Sequence, residues 1–130
     1  MNTKEYTLSI AGKDYKATFS DLAEQANGSV MLESDGTVIL ATAVIGKSGK
    51  GNPGFFNLTV EYMEKFYATG KIIGGQYNKR EGRPSDQAIL AGRMIDRTLR
   101  PLFPHHIKNP VQVITTVIAL GNADPKIVAV

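Results

Sequence analysis

Apolar and polar residues alternate with period two through much of the first half of this chain and give way to helical spacing near residue 88. The pattern therefore predicts strands followed by a helix. Residues 6 to 19 read as two strands, YTLSI and YKATF, joined across Ala11, Gly12, Lys13 and Asp14 in a short hairpin. Gly28 to Glu33 and Thr37 to Val44 flank Ser34-Asp35-Gly36, and Asp-Gly between β-rich runs is a strong hairpin signal. GKSGKGNPG, from Gly46 to Gly54, has no periodicity and reads as a loop. From Asn57 to Ala68, Leu58, Val60 and Tyr62 alternate with Asn57, Thr59 and Glu61, as in a half-buried strand. Thr69 to Gly82 carries Gly70, Gly74, Gly75 and Gly82 and is expected to be a mobile loop.

Pro84-Ser85-Asp86 then supplies a helix start. Ala88, Ala91, Gly92, Ile95, Leu99 and Leu102 follow as one buried stripe, up to stops at Pro101 and Pro104. Val111 to Leu120 is β-branched and apolar on both faces, which predicts a central strand covered on both sides. Asp124-Pro125 opens a second helix, with Asp as N-cap and Pro at the first position. The apolar Ile127 to Val130 behind it finds no partner face in the pattern, which suggests a fragment of a longer domain. The expected fold is α+β, one domain over residues 1–130: antiparallel hairpins and a mixed sheet with a packed helix, without internal repeats.

A length of 130 residues suits one domain with its own core. The absence of cysteine excludes a disulfide scaffold and Cys-based metal sites or nucleophiles, and fits a reducing compartment. MNTKEYTLSI holds no apolar run of signal-peptide length, and no stretch approaches ~20 apolar residues, so the expected location is cytoplasmic, with no membrane partner. Charge changes the picture more. The net +3 conceals a segment, Lys65 to Lys108, with nine Lys or Arg against three acids, whereas the remainder holds six bases against nine acids. All five arginines, Arg80, Arg83, Arg93, Arg97 and Arg100, fall within 21 residues. Such clustering points to a polyanion, because the guanidinium fork matches phosphate oxygens.

On a helix, Arg93, Arg97 and Arg100 stand at i, i+4 and i+7, one stripe with ends roughly 10 Å apart. Arg80 and Arg83 precede the helix N-terminus, where free N–H groups and the dipole favour an anion. Lys79 adds charge and Tyr77 a ring, the usual equipment for single-stranded nucleic acid. The bland alternative is that Asp96 pairs with Arg93 or Arg100 and that the helical arginines brace loops or subunit interfaces. Ala41 to Ser48 comes near GxxxxGK[ST], yet the first glycine is missing and no helix follows Lys47, so the phosphate-loop reading is rejected. His105 and His106 are adjacent, a poor spacing for converging on one metal. No nucleophile with its base and no carboxylate pair for Mg²⁺ stands out, so no catalytic residue is assigned.

Phe55 to Pro104 carries Phe55-Phe56 with Leu58-Thr59-Val60, then Arg80-Glu81-Gly82-Arg83-Pro84-Ser85, then Arg93-Met94-Ile95-Asp96-Arg97 and Arg100-Pro101-Leu102-Phe103-Pro104. In that order and spacing the run resembles the polynucleotide phosphorylase family in its first ribonuclease PH-like core. The opening hairpins fit too, so the resemblance covers essentially the whole chain. It looks less like stand-alone ribonuclease PH, which lacks the Arg-Pro-Leu-Phe-Pro ending. The resemblance implies a ribonuclease PH-like core (ribosomal protein S5 domain 2-like), incomplete here. It also implies a phosphorolytic 3′-to-5′ exoribonuclease in which inorganic phosphate, as co-substrate, releases nucleoside diphosphates from RNA in messenger turnover.

In this family two such cores and RNA-binding modules share one subunit, and a homotrimer encloses a channel. The phosphate site and the ligands of Mg²⁺ belong mainly to the second core, outside these residues. This segment would guide single-stranded RNA, with no DNA requirement, and help build the ring. Helicase or endonuclease partners would attach through other regions. Lys79, Arg80 and Arg83 match basic positions of the family's channel loop, and Arg93, Arg97 and Arg100 those of the helix. Where the family places two aromatics this loop has Tyr77 alone and one extra residue, weakening base stacking by ~1–3 kcal/mol. The alternative is a non-catalytic RNA-binding or ring-scaffold module of the same fold.

Overall fold

The computed structural model of the chain describes residues 3–47, 55–75, 77 and 80–130. Most of the Gly46 to Gly54 loop, with Ser48 and Lys50, lies outside the described residues, as do Lys79 and two of its neighbours.

Two hairpins begin the fold. β1 (Lys4–Ile10) pairs antiparallel with β2 (Lys13–Phe19), and Ile10 faces Lys13 across a two-residue turn. Ala11 and Gly12 both take positive φ, 51° and 74°, the mirror-image turn whose twist suits a hairpin. The connection is thus tighter than the four residues expected, and Lys13 and Asp14 belong to the strand. β3 (Gly28–Ser34) and β4 (Thr37–Ile45) repeat the device, with Asp35 at 48° and Gly36 at 79°.

β5 (Leu58–Met63) is shorter than the alternation predicted. After Met63 the chain coils into a 3-10 turn, Phe66–Thr69, closed by Ala68 N–H to the Lys65 carbonyl and Gly70 N–H to that of Tyr67. α1 (Asp86–Leu99) starts where expected, with Ser85 Oγ accepting from the Ala88 amide at 3.1 Å. Its buried stripe is Ala88, Ala91, Gly92 and Ile95. Leu102, expected to extend that stripe, is 75% exposed, because the helix tightens into a 3-10 turn at Arg100–Leu102 and the helical register is lost.

β6 (Val111–Ala119) inserts between β4 and β5, giving the order β1-β2-β3-β4-β6-β5. It runs antiparallel to β4 and parallel to β5, so α1 belongs to a βαβ crossover and the sheet is mixed. Val111, Val113, Thr115 and Val117 are buried on one face, whereas Gln112 is exposed and Ile114, Thr116 and Ile118 are only half-buried on the other. The two-sided cover expected from the apolar run is therefore absent among the described residues. α2 (Pro125–Ala129) is capped by Asp124, whose Oδ1 accepts from the Lys126 amide at 2.9 Å. Val128, expected to lack a partner, is buried with Ile39, Tyr62, Ile95 and Val117 in the main core. A second cluster, Leu58, Val111 and Val113, packs under Phe56, Leu99 and Phe103.

Candidate nucleic-acid interface

The basic loop reaches α1 from the 3-10 turn and is tied back to that turn by one residue. Glu81 Oε1 accepts from the Phe66 amide at 2.7 Å, and Oε2 lies 2.8 Å from Lys65 Nζ. The Lys65 hydrogen bond, then that of the Phe66 amide, holds the Glu81 carboxyl below its ordinary range, and Glu81 in turn raises Lys65. A depressed carboxyl favours the folded state above its unfolded value and loses that preference as pH falls through the lowered one. The raised Lys65 places the alkaline loss above the usual lysine range, so the clasp is intact at neutral pH. The Phe66 amide resonance is accordingly expected to titrate with an acid midpoint below the ordinary carboxylate value, and Glu81→Gln to abolish that titration. Nuclear magnetic resonance across the acid range measures both.

With Glu81 so engaged, the acid nearest Arg80 and Arg83 in sequence is paired elsewhere. Both arginines are exposed just before the Ser85 cap, and neither takes part in an ion pair among the described residues. Tyr77, three residues before Arg80 in sequence, stands 91% exposed. Lys79, predicted as part of this group, lies outside the described residues.

On α1 the arginine stripe divides. Arg100 grips Asp96 through two bonds, Nη2 to Oδ1 at 2.7 Å and Nε to Oδ2 at 3.3 Å. Its Nη1 donates to the Phe56 carbonyl at 3.2 Å, and the guanidinium sits 5.9 Å from the Phe56 ring centre. Arg100 thus braces the segment before β5 against the end of α1, the bracing role that the sequence left open. Asp96 chooses Arg100 over Arg93. Arg93 and Arg97 are exposed and, among the described residues, carry no ion pair. Exposed Ile89, Leu90 and Met94 share the outer surface of α1 with them.

At the C-terminal end of α1 lies an open cleft of about 660 Å³ bordered by Phe55, Phe56, Phe103, Arg97, His105 and Lys108. The rings of Phe56 and Phe103 are 5.0 Å apart, centre to centre.

Residues 12–129 match the model of the 3′ exoribonuclease family, domain 1. The chain belongs to that family. Relatives share nearly half of its residues. The chain is 47% identical over 128 residues to the polyribonucleotide nucleotidyltransferase of Pseudothermotoga lettingae, a match covering 98% of the chain and 18% of that protein. The enzyme of the same name from Moorella thermoacetica is 47% identical over 123 residues, covering 95% and 16%. That from Legionella pneumophila is 53% identical over 110 residues, covering 84% and 15%. The chain thus spans less than a fifth of each of these relatives.

Two solved structures share the fold of this exoribonuclease-family domain. Rice Rrp46 superposes with a TM-score of 0.60 at 21% identity, over 88% of this chain and 50% of that one. The Archaeoglobus fulgidus exosome, solved with RNA bound to its active site, gives 0.58 at 15% identity, over 81% and 43%.

Other features of this family domain carry less chemistry. The Gly46 amide donates to the Pro110 carbonyl at 2.8 Å and the Gly46 carbonyl accepts from Asn109 Nδ2 at 3.0 Å, so its backbone is held by the segment that leads into β6. His105 and His106 are exposed, and among the described residues no three His, Asp or Glu side chains converge as a metal site would require. Among them, too, no helix is long and apolar enough to cross a membrane. The Tyr62 phenol donates to Glu64 Oε1 at 3.2 Å, and burial, reinforced by Glu64, pushes it well above its ordinary value, as suits a neutral core residue. Sequence reasoning gave no role to the Phe56–Phe103 pair, since Phe55-Phe56 and Phe103 are far apart in the chain and meet only when α1 returns to the sheet.

Proposed function

We propose that this domain guides single-stranded RNA within a phosphorolytic 3′-to-5′ exoribonuclease, a polyribonucleotide nucleotidyltransferase that uses inorganic phosphate to release nucleoside diphosphates. The observation that carries the reading is the division of the arginines. Asp96 and Glu81 are held by Arg100 and Lys65, while Arg80, Arg83, Arg93 and Arg97 stand exposed along one loop and one helix with Tyr77. Such an array suits a flexible phosphate chain with stacked bases. On this reading the metal and phosphate chemistry belongs to other parts of the parent enzyme, and the domain by itself is expected to be inactive. The parent is read as a homotrimeric ring in the cytoplasm.

Arg80→Ala with Arg83→Ala is expected to weaken single-stranded RNA binding. It should also flatten the slope of log affinity against log salt by about 1.4, roughly 0.7 for each phosphate that is no longer neutralised. Anisotropy titrations over a salt series measure this, and an unchanged slope sinks the claim that these arginines meet RNA. A second reading rests on Ile89, Leu90 and Met94, whose apolar surface between the helical arginines suits a subunit contact. Under it Arg93 and Arg97 bind protein, and replacing them changes assembly while RNA affinity holds.

A further inference from the structure

Aromatic surface and uncompensated positive charge also meet away from the loop, in the cleft at the far end of α1. Phe55 is 65% exposed at its rim, and behind it the Phe56 and Phe103 rings form an apolar wall. Arg97, Lys108 and His105 border the same space, and among the described residues no carboxylate lines it. The nearest acid in sequence, Asp96, has both oxygens bonded to Arg100. Arg100 also fixes the Phe56 backbone, so the wall is preformed before any ligand arrives.

A ligand complementary to this lining needs a flat apolar face and a negative charge within a few ångströms of it. The cleft, about 660 Å³ and open to solvent, has room for a small planar group laid against its wall without enclosing it. A carboxylate side chain alone supplies the charge without a planar face, and a bare phosphate supplies no surface for the rings. A nucleotide supplies both. We infer that the cleft is a nucleotide subsite: a base lies against Phe55, and its phosphate meets Arg97 and Lys108. The inference rests on the RNA-guiding reading and extends it. α1 has 14 residues, a length of about 21 Å, which separates this subsite from Arg80 and Arg83 at the other end, with Arg93 between. A single strand laid along the helix would touch the loop first and the cleft second.

The test uses this chain with three probes: ADP, a short adenosine oligonucleotide, and an abasic strand of equal length. Phe55 and Arg97 are exposed, so Phe55→Ala and Arg97→Ala leave the core untouched. The oligonucleotide is expected to shift the amide resonances of Phe55, Phe103 and Lys108. Phe55→Ala should weaken oligonucleotide binding at least fivefold and leave the abasic strand unaffected, whereas Arg97→Ala should weaken both. Shifts with ADP as well identify a site that takes free nucleotide, and shifts with the oligonucleotide alone identify one that takes a nucleotide within a strand. Both support the subsite. Resonances that none of the probes moves, or unchanged oligonucleotide affinity in Phe55→Ala, overturn it. The two readings separate cleanly: Arg80→Ala with Arg83→Ala should lower oligonucleotide affinity while the cleft resonances still respond. If only that double variant has an effect, loop guidance stands and the subsite falls.

Discussion

Gly121→Ala is expected to destabilise the domain by about 3 kcal/mol, seen as a lower urea midpoint with an unchanged slope. A Cβ at Gly121 would run into the Asp35 carbonyl oxygen and the Gly36 carbonyl carbon and lie 2.7 Å from Gly36 Cα. These are backbone atoms, so no side-chain rotation relieves the clash. Nor can the turn readily retreat. Asp35 and Gly36 hold positive φ to keep β3 and β4 in register, and the Asn122 amide donates to the Asp35 carbonyl at 3.0 Å. Relief requires breaking that bond or displacing the end of β6. A variant as stable as the parent would mean that the turn and the residues after β6 are not in contact in solution.

Thr37→Val should cost about 2–4 kcal/mol although it barely changes shape. Thr37 is fully buried, and its hydroxyl works in both directions. It donates to the Ala123 carbonyl at 2.7 Å and accepts from the Gly121 amide at 3.0 Å. Valine strands the buried Ala123 carbonyl and leaves the Gly121 amide without its partner, and the penalty for a stranded buried group exceeds the ordinary worth of the bond. Thr37→Ser keeps the hydroxyl and should recover most of the loss. Denaturant titration of the two variants side by side separates the hydrogen bonds from the methyl group. Equal destabilisation by serine and valine would assign the effect to packing.

Much of the fold was legible because its signals are local. Asp35-Gly36 specifies its turn by backbone preference, Gly12 supplies one positive φ of the first hairpin while Ala11 adopts the other against its own preference, and Ser85 and Asp124 mark helix starts by the bonds their side chains accept. What misled was pattern without partners. Phe66 and Tyr67 resume apolar character beyond Glu64 and Lys65, yet hydrogen bonds within the 3-10 turn take the backbone out of the sheet. Val128 looked unpartnered because Ile39, its companion in the core, is remote in sequence. The basic cluster could be read from sequence, but its internal division could not. Spacing offers Asp96 to Arg93 and Arg100 alike, and the choice is made by the Phe56 carbonyl, 44 residues from Arg100, which accepts one of its protons.

The pairing of β4 with β6 also sets an order of assembly. Each hairpin closes between near neighbours, but Ile45 meets Val111 only after the chain between them has looped out. That loop holds β5, the Glu81 clasp, the arginine-bearing loop and α1. Closing a long loop before its contacts form is the slow part of folding, while short hairpins form in microseconds. During synthesis the two hairpins therefore take shape first. The face that carries Arg80 to Arg97 is expected to acquire its geometry last, once β6 pairs between β4 and β5. Until then the positive charges belong to an unsupported chain, with no fixed spacing to offer a polyanion.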